Sequence, residues 1–157
     1  MATVLYLSQC NFRCPFCHNK DLVAGKGTSL IAGEQVLSIL TSRRGFIDGV
    51  VITGGEPTIH PELLELIISI KKLELPIKLD TNGYNPDALK SLFTAKAVDF
   101  VAMDIKTSWQ KYNQATGVTV NIDRLIESVN LIKQSSIERI FQMETASRRY
   151  DFMPIGI

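Results

Sequence analysis

Cys10, Cys14 and Cys17 are the residues of this chain best suited to chemistry, and it has no other cysteine. They stand within Cys10-Asn11-Phe12-Arg13-Cys14-Pro15-Phe16-Cys17-His18-Asn19, so three sulfurs can converge on one inorganic centre without help from a distant part of the fold. A bare thiolate cluster selects zinc or iron–sulfur, since both take soft sulfur ligands. A closed structural zinc site needs four ligands, and His18 is the available fourth. A cubane iron–sulfur cluster has four irons, so three thiolates leave one iron with an open position. An open position is where a substrate or cofactor binds, which is the logic of a catalytic centre. Three clustered cysteines without a distant partner also argue against a disulfide framework and for a reducing compartment.

Such a loop needs a frame. Residues 3–7 are β-branched and apolar and read as a strand that delivers the chain to Cys10. A Gly/Ser/Thr-rich connector at 24–29 leads to a helix with Val36, Leu37 and Leu40 on one face, Arg43 and Arg44 in its last turn and Gly45 as its stop. A second strand, 49–52, runs into Thr53-Gly54-Gly55-Glu56-Pro57, and Pro61 opens an apolar helix that ends at Lys71-Lys72. Residues 77–79 form a strand that meets Asp80-Thr81-Asn82-Gly83, and Pro86 opens a helix through Leu89 and Phe93. The strand at 100–103 runs into Asp104-Ile105-Lys106, and Trp109 and Tyr112 follow in a loop. From Asn121 a helical stripe carries Ile122, Leu125, Ile126, Val129 and Ile132, and a last strand is read over 140–145.

This alternation predicts an α/β fold of about five βα units with a parallel sheet. In such folds the strand carboxyl ends share one face, and loops there build the site. Cys10, Glu56, Asp80 and Asp104 are therefore expected on one rim. With 157 residues, one domain over 1–157 is the expectation, and 45% hydrophobic with 21% charged residues is ordinary globular composition. A net charge of +1 predicts no general affinity for nucleic acid or anionic membrane. Charged residues interrupt every apolar run within a few positions, and residues 1–9 lack the pattern of a signal peptide, so the cytoplasm is the expected compartment.

Glu56 offers an acceptor to an ammonium, and Gly54 and Gly55 let backbone approach a ligand; the plainer alternative is a turn with an exposed Glu. Asn82-Gly83 is a turn signal in its own right, and Asp104 with Lys106 is either a ligand contact or a solvated charge pair. Phe16 either lies near a bound ring or fills the core, and Trp109 and Tyr112 either line a partner surface or pack over the site.

With Phe16 between its last two cysteines, the string reads Cys-x3-Cys-x-aromatic-Cys and resembles the signature of the radical S-adenosylmethionine (SAM) superfamily. His18-Asn19 resembles the glycyl-radical-enzyme activating enzymes; the wording is most similar to the activating proteins of anaerobic ribonucleotide reductase, with those of pyruvate formate-lyase next. Thr53-Gly54-Gly55-Glu56-Pro57 resembles the superfamily's Gly-Gly-Glu motif, and Asp80-Thr81-Asn82-Gly83 and Met103-Asp104-Ile105-Lys106 resemble motifs of the activating enzymes. The resemblance implies a partial radical SAM (β/α) barrel with one [4Fe–4S] cluster on Cys10, Cys14 and Cys17. It implies SAM held at its amino group by Gly54, Gly55 and Glu56, at its carboxylate end by Asp80 and Thr81, and by Asp104 and Lys106, with Phe16 near the adenine. It further implies a monovalent cation at Asp80, Thr81, Met103 and Asp104.

The activity so implied is hydrogen abstraction by a 5′-deoxyadenosyl radical from a glycine of a glycyl-radical enzyme, anaerobic ribonucleotide reductase above all, with flavodoxin or ferredoxin as electron donor. A radical SAM enzyme acting on a small molecule such as a deazapurine precursor is one rival. A truncated or non-catalytic metal-binding remnant is the other. The likeness covers roughly residues 3–135. Residues 141–145 fit a fifth strand loosely, and the tail 147–157 is atypical. A missing sixth strand would leave an exposed sheet edge, which reads either as a shortened gene product or as a minimal member whose edge a partner covers.

Overall fold

The computed structural model describes residues 1–25 and 30–143. Five strands, β1 (Ala2–Leu7), β2 (Gly49–Gly54), β3 (Ile77–Thr81), β4 (Phe100–Ile105) and β5 (Glu138–Met143), lie in the order β1-β2-β3-β4-β5, every neighbouring pair parallel. The connecting helices are α1 (Lys20–Ala24), α2 (Gly33–Arg43), α3 (Leu63–Lys71), α4 (Pro86–Thr94), α5 (Tyr112–Thr116) and α6 (Ile122–Gln134). This is the α/β architecture of a partial barrel, with all five strand carboxyl ends on one rim.

Local chemistry sets the helix starts. Asn85 accepts from Ala88 N at 3.4 Å with Pro86 in the first turn of α4, and Asn121 accepts from Asp123 N at 3.0 Å to open α6. Because side chains alternate along a strand, Val50, Ile52, Ile77, Leu79, Val101 and Met103 all turn to the helical side. There they are buried with Leu40, Ile67, Ile70, Leu89, Leu92, Leu125 and Ile132, each such side chain worth about 1.5–3 kcal/mol of burial.

The opposite, inner face carries Val4, Tyr6, Val51, Thr53, Lys78, Asp80, Phe100, Ala102, Asp104 and Ile140. No helix among the described residues covers it, and Tyr6 and Ile140 remain 53% and 44% exposed. Lys78 Nζ lies 2.7 Å from Asp80 Oδ1 and 5.9 Å from the centre of the Phe100 ring, so these three side chains share that face.

Three local readings are corrected. Residues 20–24, partly assigned to the connector, form α1. The supposed loop bearing Trp109 and Tyr112 is a 3₁₀ turn, Trp109–Lys111, running directly into α5. The fifth strand begins at Glu138, two residues before the apolar run suggested, because pairing with β4 and not burial sets its start. Positions 144–145 of that expected strand, connector residues 26–29 and the tail 147–157 lie outside the described residues. Within those described, β5 is an outer strand of the sheet, and no helix is long and apolar enough to cross a membrane.

Candidate active site at the strand carboxyl ends

The loop after β1 is held to its neighbours almost entirely through backbone. Gly55 N donates to Leu7 O at 2.8 Å and Glu56 N to Gln9 O at 2.9 Å, so the Gly-Gly-Glu turn lies flat against the start of the cysteine loop. A β-carbon on Gly55 would sit 1.6 Å from Gln9 O, and one on Gly54, at φ +118°, would sit 2.4 Å from Leu7 O. These glycines permit a close approach to the cysteine loop's own backbone, and both also line the site cavity. On the far flank Arg13 N donates to Thr116 O at 2.7 Å, and His60 Nε2 reaches Ser8 O at 2.8 Å. Phe12, 1% exposed, anchors the loop from below, its ring 5.4 Å from that of Tyr84 and 6.4 Å from that of Tyr112.

Glu56 is the hub of the rim. It is 1% exposed, and its Oε1 accepts from Thr58 N (3.0 Å), Thr58 Oγ1 (2.5 Å) and Thr81 Oγ1 (2.7 Å) while Oε2 accepts from Asn82 N (2.7 Å). Burial pushes its carboxyl above the usual carboxylate range, and the donors of Asn82, Thr58 and Thr81 pull it partway back. The bond set ties the loop after β2 to the loop after β3. Asn82 continues the chain of contacts: its Nδ2 donates to Asn11 Oδ1 at 2.7 Å and points at Cys10 Sγ from 3.9 Å. Cys10 Sγ also receives Phe12 N at 3.4 Å. Desolvation holds the Cys10 thiol up, an effect the Phe12 amide opposes.

Asp80 and Asp104 stand differently. Both are partly exposed, and each faces a lysine, Asp80 beside Lys78 and Asp104 Oδ2 at 3.1 Å from Lys106 Nζ. Tyr112 fixes the second pair, since its hydroxyl accepts from Lys106 N at 3.3 Å. Burial pushes the Tyr112 hydroxyl up, and Asp104 and Cys14 add to that push.

One cavity of about 540 Å³ joins these groups. Cys10, Cys14, Phe16, Cys17, Gly54, Gly55, Glu56, Asp80, Thr81, Asp104 and Lys106 all line it, so residues spread over four βα units meet at one place. Met103 does not: it is fully buried beneath Gly83 on the helical side. Sequence reasoning passed over Asn11, Phe12, Thr58, His60 and Asn82. Of these only Asn82 carried a signal, hidden in a string that also spells an ordinary turn.

Three thiols facing one cavity suit a metal–sulfur group, zinc or an iron–sulfur cluster. The room beside them is of the size that takes a small-molecule cofactor.

The sequence pattern of the Radical SAM superfamily matches residues 4–147. A protein of Methanocaldococcus jannaschii, provisionally named a glycyl-radical enzyme activating enzyme, is 32% identical over 114 residues, which cover 72% of this chain and 46% of that protein. A protein of Pyrococcus abyssi provisionally named a GTP 3′,8-cyclase is 30% identical over 122 residues, covering 77% of this chain and 39% of its own. The chain thus spans less than half the length of both. Streptococcus suis SuiB bound to S-adenosylmethionine shares the fold, with a TM-score of 0.70 at 21% identity over 89% of this chain and 33% of SuiB. With a match that takes in the cysteine triplet and reaches all five strands, the chain belongs to the radical SAM superfamily.

Proposed function

We propose that this chain is the radical SAM core of an activase that places a glycyl radical on a partner enzyme, with anaerobic ribonucleotide reductase as that partner. The observation that carries the reading is the single cavity in which Cys10, Cys14 and Cys17 meet Gly54, Glu56, Asp80, Asp104 and Lys106. The inner face of the sheet carries Val4, Tyr6, Val51, Phe100, Ala102 and Ile140 together with Thr53, Lys78, Asp80 and Asp104, a mixed surface that suits an extended peptide segment. The M. jannaschii relative supports the same reading through its name.

When bound, the [4Fe–4S] cluster supplies the electron that splits SAM into methionine and a 5′-deoxyadenosyl radical. Cys10, Cys14 and Cys17 hold the cluster, and Asn82 and the Phe12 amide support the Cys10 sulfur. Glu56, with four donors already on its two oxygens, acts by keeping the loops in register. Asp80 and Asp104, each beside one lysine, would exchange part of that pairing for the SAM ammonium and a monovalent cation, and Lys106 would meet the SAM carboxylate. Phe16 forms the wall for the adenine. Flavodoxin or ferredoxin delivers the electron.

Anaerobic incubation of the reconstituted protein with reductant, SAM and anaerobic ribonucleotide reductase tests this. A glycyl-radical EPR doublet on the reductase, with one 5′-deoxyadenosine formed per radical, is expected. Consumption of GTP with 5′-deoxyadenosine release, and no radical on the reductase, would replace it with the chemistry named for the P. abyssi relative.

A further inference from the structure

Lys78 stands two residues before Asp80 on β3, so both side chains leave the strand on the inner face of the sheet. Its cross-strand neighbours there are Val51 on β2 and Phe100 on β4, and neither offers an opposite charge. The ammonium settles instead between an aromatic face and an acid: Nζ is 5.9 Å from the centre of the Phe100 ring and 2.7 Å from Asp80 Oδ1. That contact is one of charge and not of direction, since the buried Oδ1 has no aligned hydrogen-bond donor among the described residues. A spherical cation would hold the carboxylate in the same way.

Asp80 lines the site cavity and Lys78 does not. A cation entering the cavity therefore meets an acid that is already compensated from another side. The side chains of Lys78 and Asp80 are 25% and 29% exposed, so water and salt screen this pair less than a surface pair. The other groups that the resemblance offers to a monovalent cation are also engaged. Asp104 Oδ2 is 3.1 Å from Lys106 Nζ, and Thr81 Oγ1 donates to Glu56 Oε1 at 2.7 Å and accepts from Gly83 N at 3.0 Å. The Met103 side chain is buried away from the cavity. Two carboxylates and two ammoniums carry no net charge, which leaves little field to draw a free ion from water.

We propose that Lys78 is a built-in counterion that contests Asp80 with the monovalent cation, so that SAM binding responds to that ion only at concentrations well above those a bare Asp80 would need. A group tethered two residues from its partner competes as an intramolecular one, against an ion that must be drawn from solution. The proposal rests on SAM occupying this cavity and concerns only what compensates Asp80 there.

The test compares wild type, Lys78→Met and Lys78→Arg, each loaded with its cluster. SAM affinity is titrated calorimetrically over a range of NaCl, with tetramethylammonium chloride holding the ionic strength constant. Sodium-23 line broadening on the cluster-free proteins reads the ion alone. Lys78→Met is expected to respond to sodium at a concentration at least about tenfold below wild type, and to broaden the sodium line where wild type does not. Lys78→Arg is expected to behave as wild type, because it restores the charge and not the shape. The same sodium response in wild type and Lys78→Met, or none in either, with SAM bound normally, would overturn the proposal alone. A Lys78→Arg protein that follows Lys78→Met would overturn it too and leave Lys78 a packing role. Should Lys78→Met not fold, Lys78→Gln carries the same comparison. A wild-type protein that takes up its cluster and binds no SAM would overturn the SAM reading and this proposal together.

Discussion

Glu56 and the pair Asp80 and Asp104 look alike in the sequence, acids placed at or just after a strand, yet the structure gives them opposite situations. Glu56 is buried with four donors on its carboxylate, whereas Asp80 and Asp104 are part-exposed in the same cavity, each beside one lysine. The difference is that one carboxylate fastens two loops, while the other two stay part-exposed in the same cavity. A buried carboxylate is costly unless it is hydrogen-bonded, and here the cost is offset by joining two motif strings at one point.

The comparison can be broken most forcefully at the frame. Gly55→Ala would drive a β-carbon into Gln9 O, and unfolding in urea is expected to show a loss of about 3 kcal/mol or more, with failure to assemble a cluster. Glu56→Ala follows. It strands the Asn82 and Thr58 amides, and a loss of about 2–4 kcal/mol is expected by the same measurement.

Glu56→Gln sharpens the point through pH. The folded-state value of Glu56 is raised, so the native protein binds the proton more tightly than the unfolded chain does. Wild-type stability should therefore fall as pH rises from the ordinary carboxylate range through the raised value, and that descending slope should be missing in Glu56→Gln. An unchanged slope would show that the carboxyl is not held as described.

Asp80→Asn and Asp104→Asn belong to the other half of the contrast. Each is expected to change stability by less than about 1 kcal/mol, since part-exposed ion pairs contribute little. SAM affinity, titrated by calorimetry on the loaded protein, should nonetheless drop by about tenfold or more. A large stability loss with unchanged SAM binding would reverse the roles assigned to the two kinds of acid.

Most of the frame was legible because strand runs such as 49–52 and 100–103 are apolar and each ends in a distinct string. The rim followed from topology alone: parallel strands bring Cys10, Glu56, Asp80 and Asp104 together whatever their side chains do. The turn and helix over 109–116 were not legible. Their residues, Trp-Gln-Lys-Tyr-Asn-Gln-Ala-Thr, have no apolar stripe, and the helix is held by Thr116, whose hydroxyl donates to Tyr112 O and whose carbonyl takes Arg13 N. The first residues of β5 escaped for a related reason, being exposed Glu and Arg recruited by pairing with β4. Within the site, neither the burial of Glu56 nor the meeting of Asn11 with Asn82 could be read locally, because both depend on partners 25 and 71 positions away.

The central claim is that Cys10, Cys14 and Cys17 hold a cluster with one open iron that SAM occupies. Anaerobic reconstitution with iron and sulfide, followed by EPR of the reduced protein with and without SAM, tests it most directly. The account expects a [4Fe–4S] signal that changes shape and position when SAM is added. A protein that assembles no cluster, or that carries one zinc per chain and gives no SAM-dependent change, would contradict it.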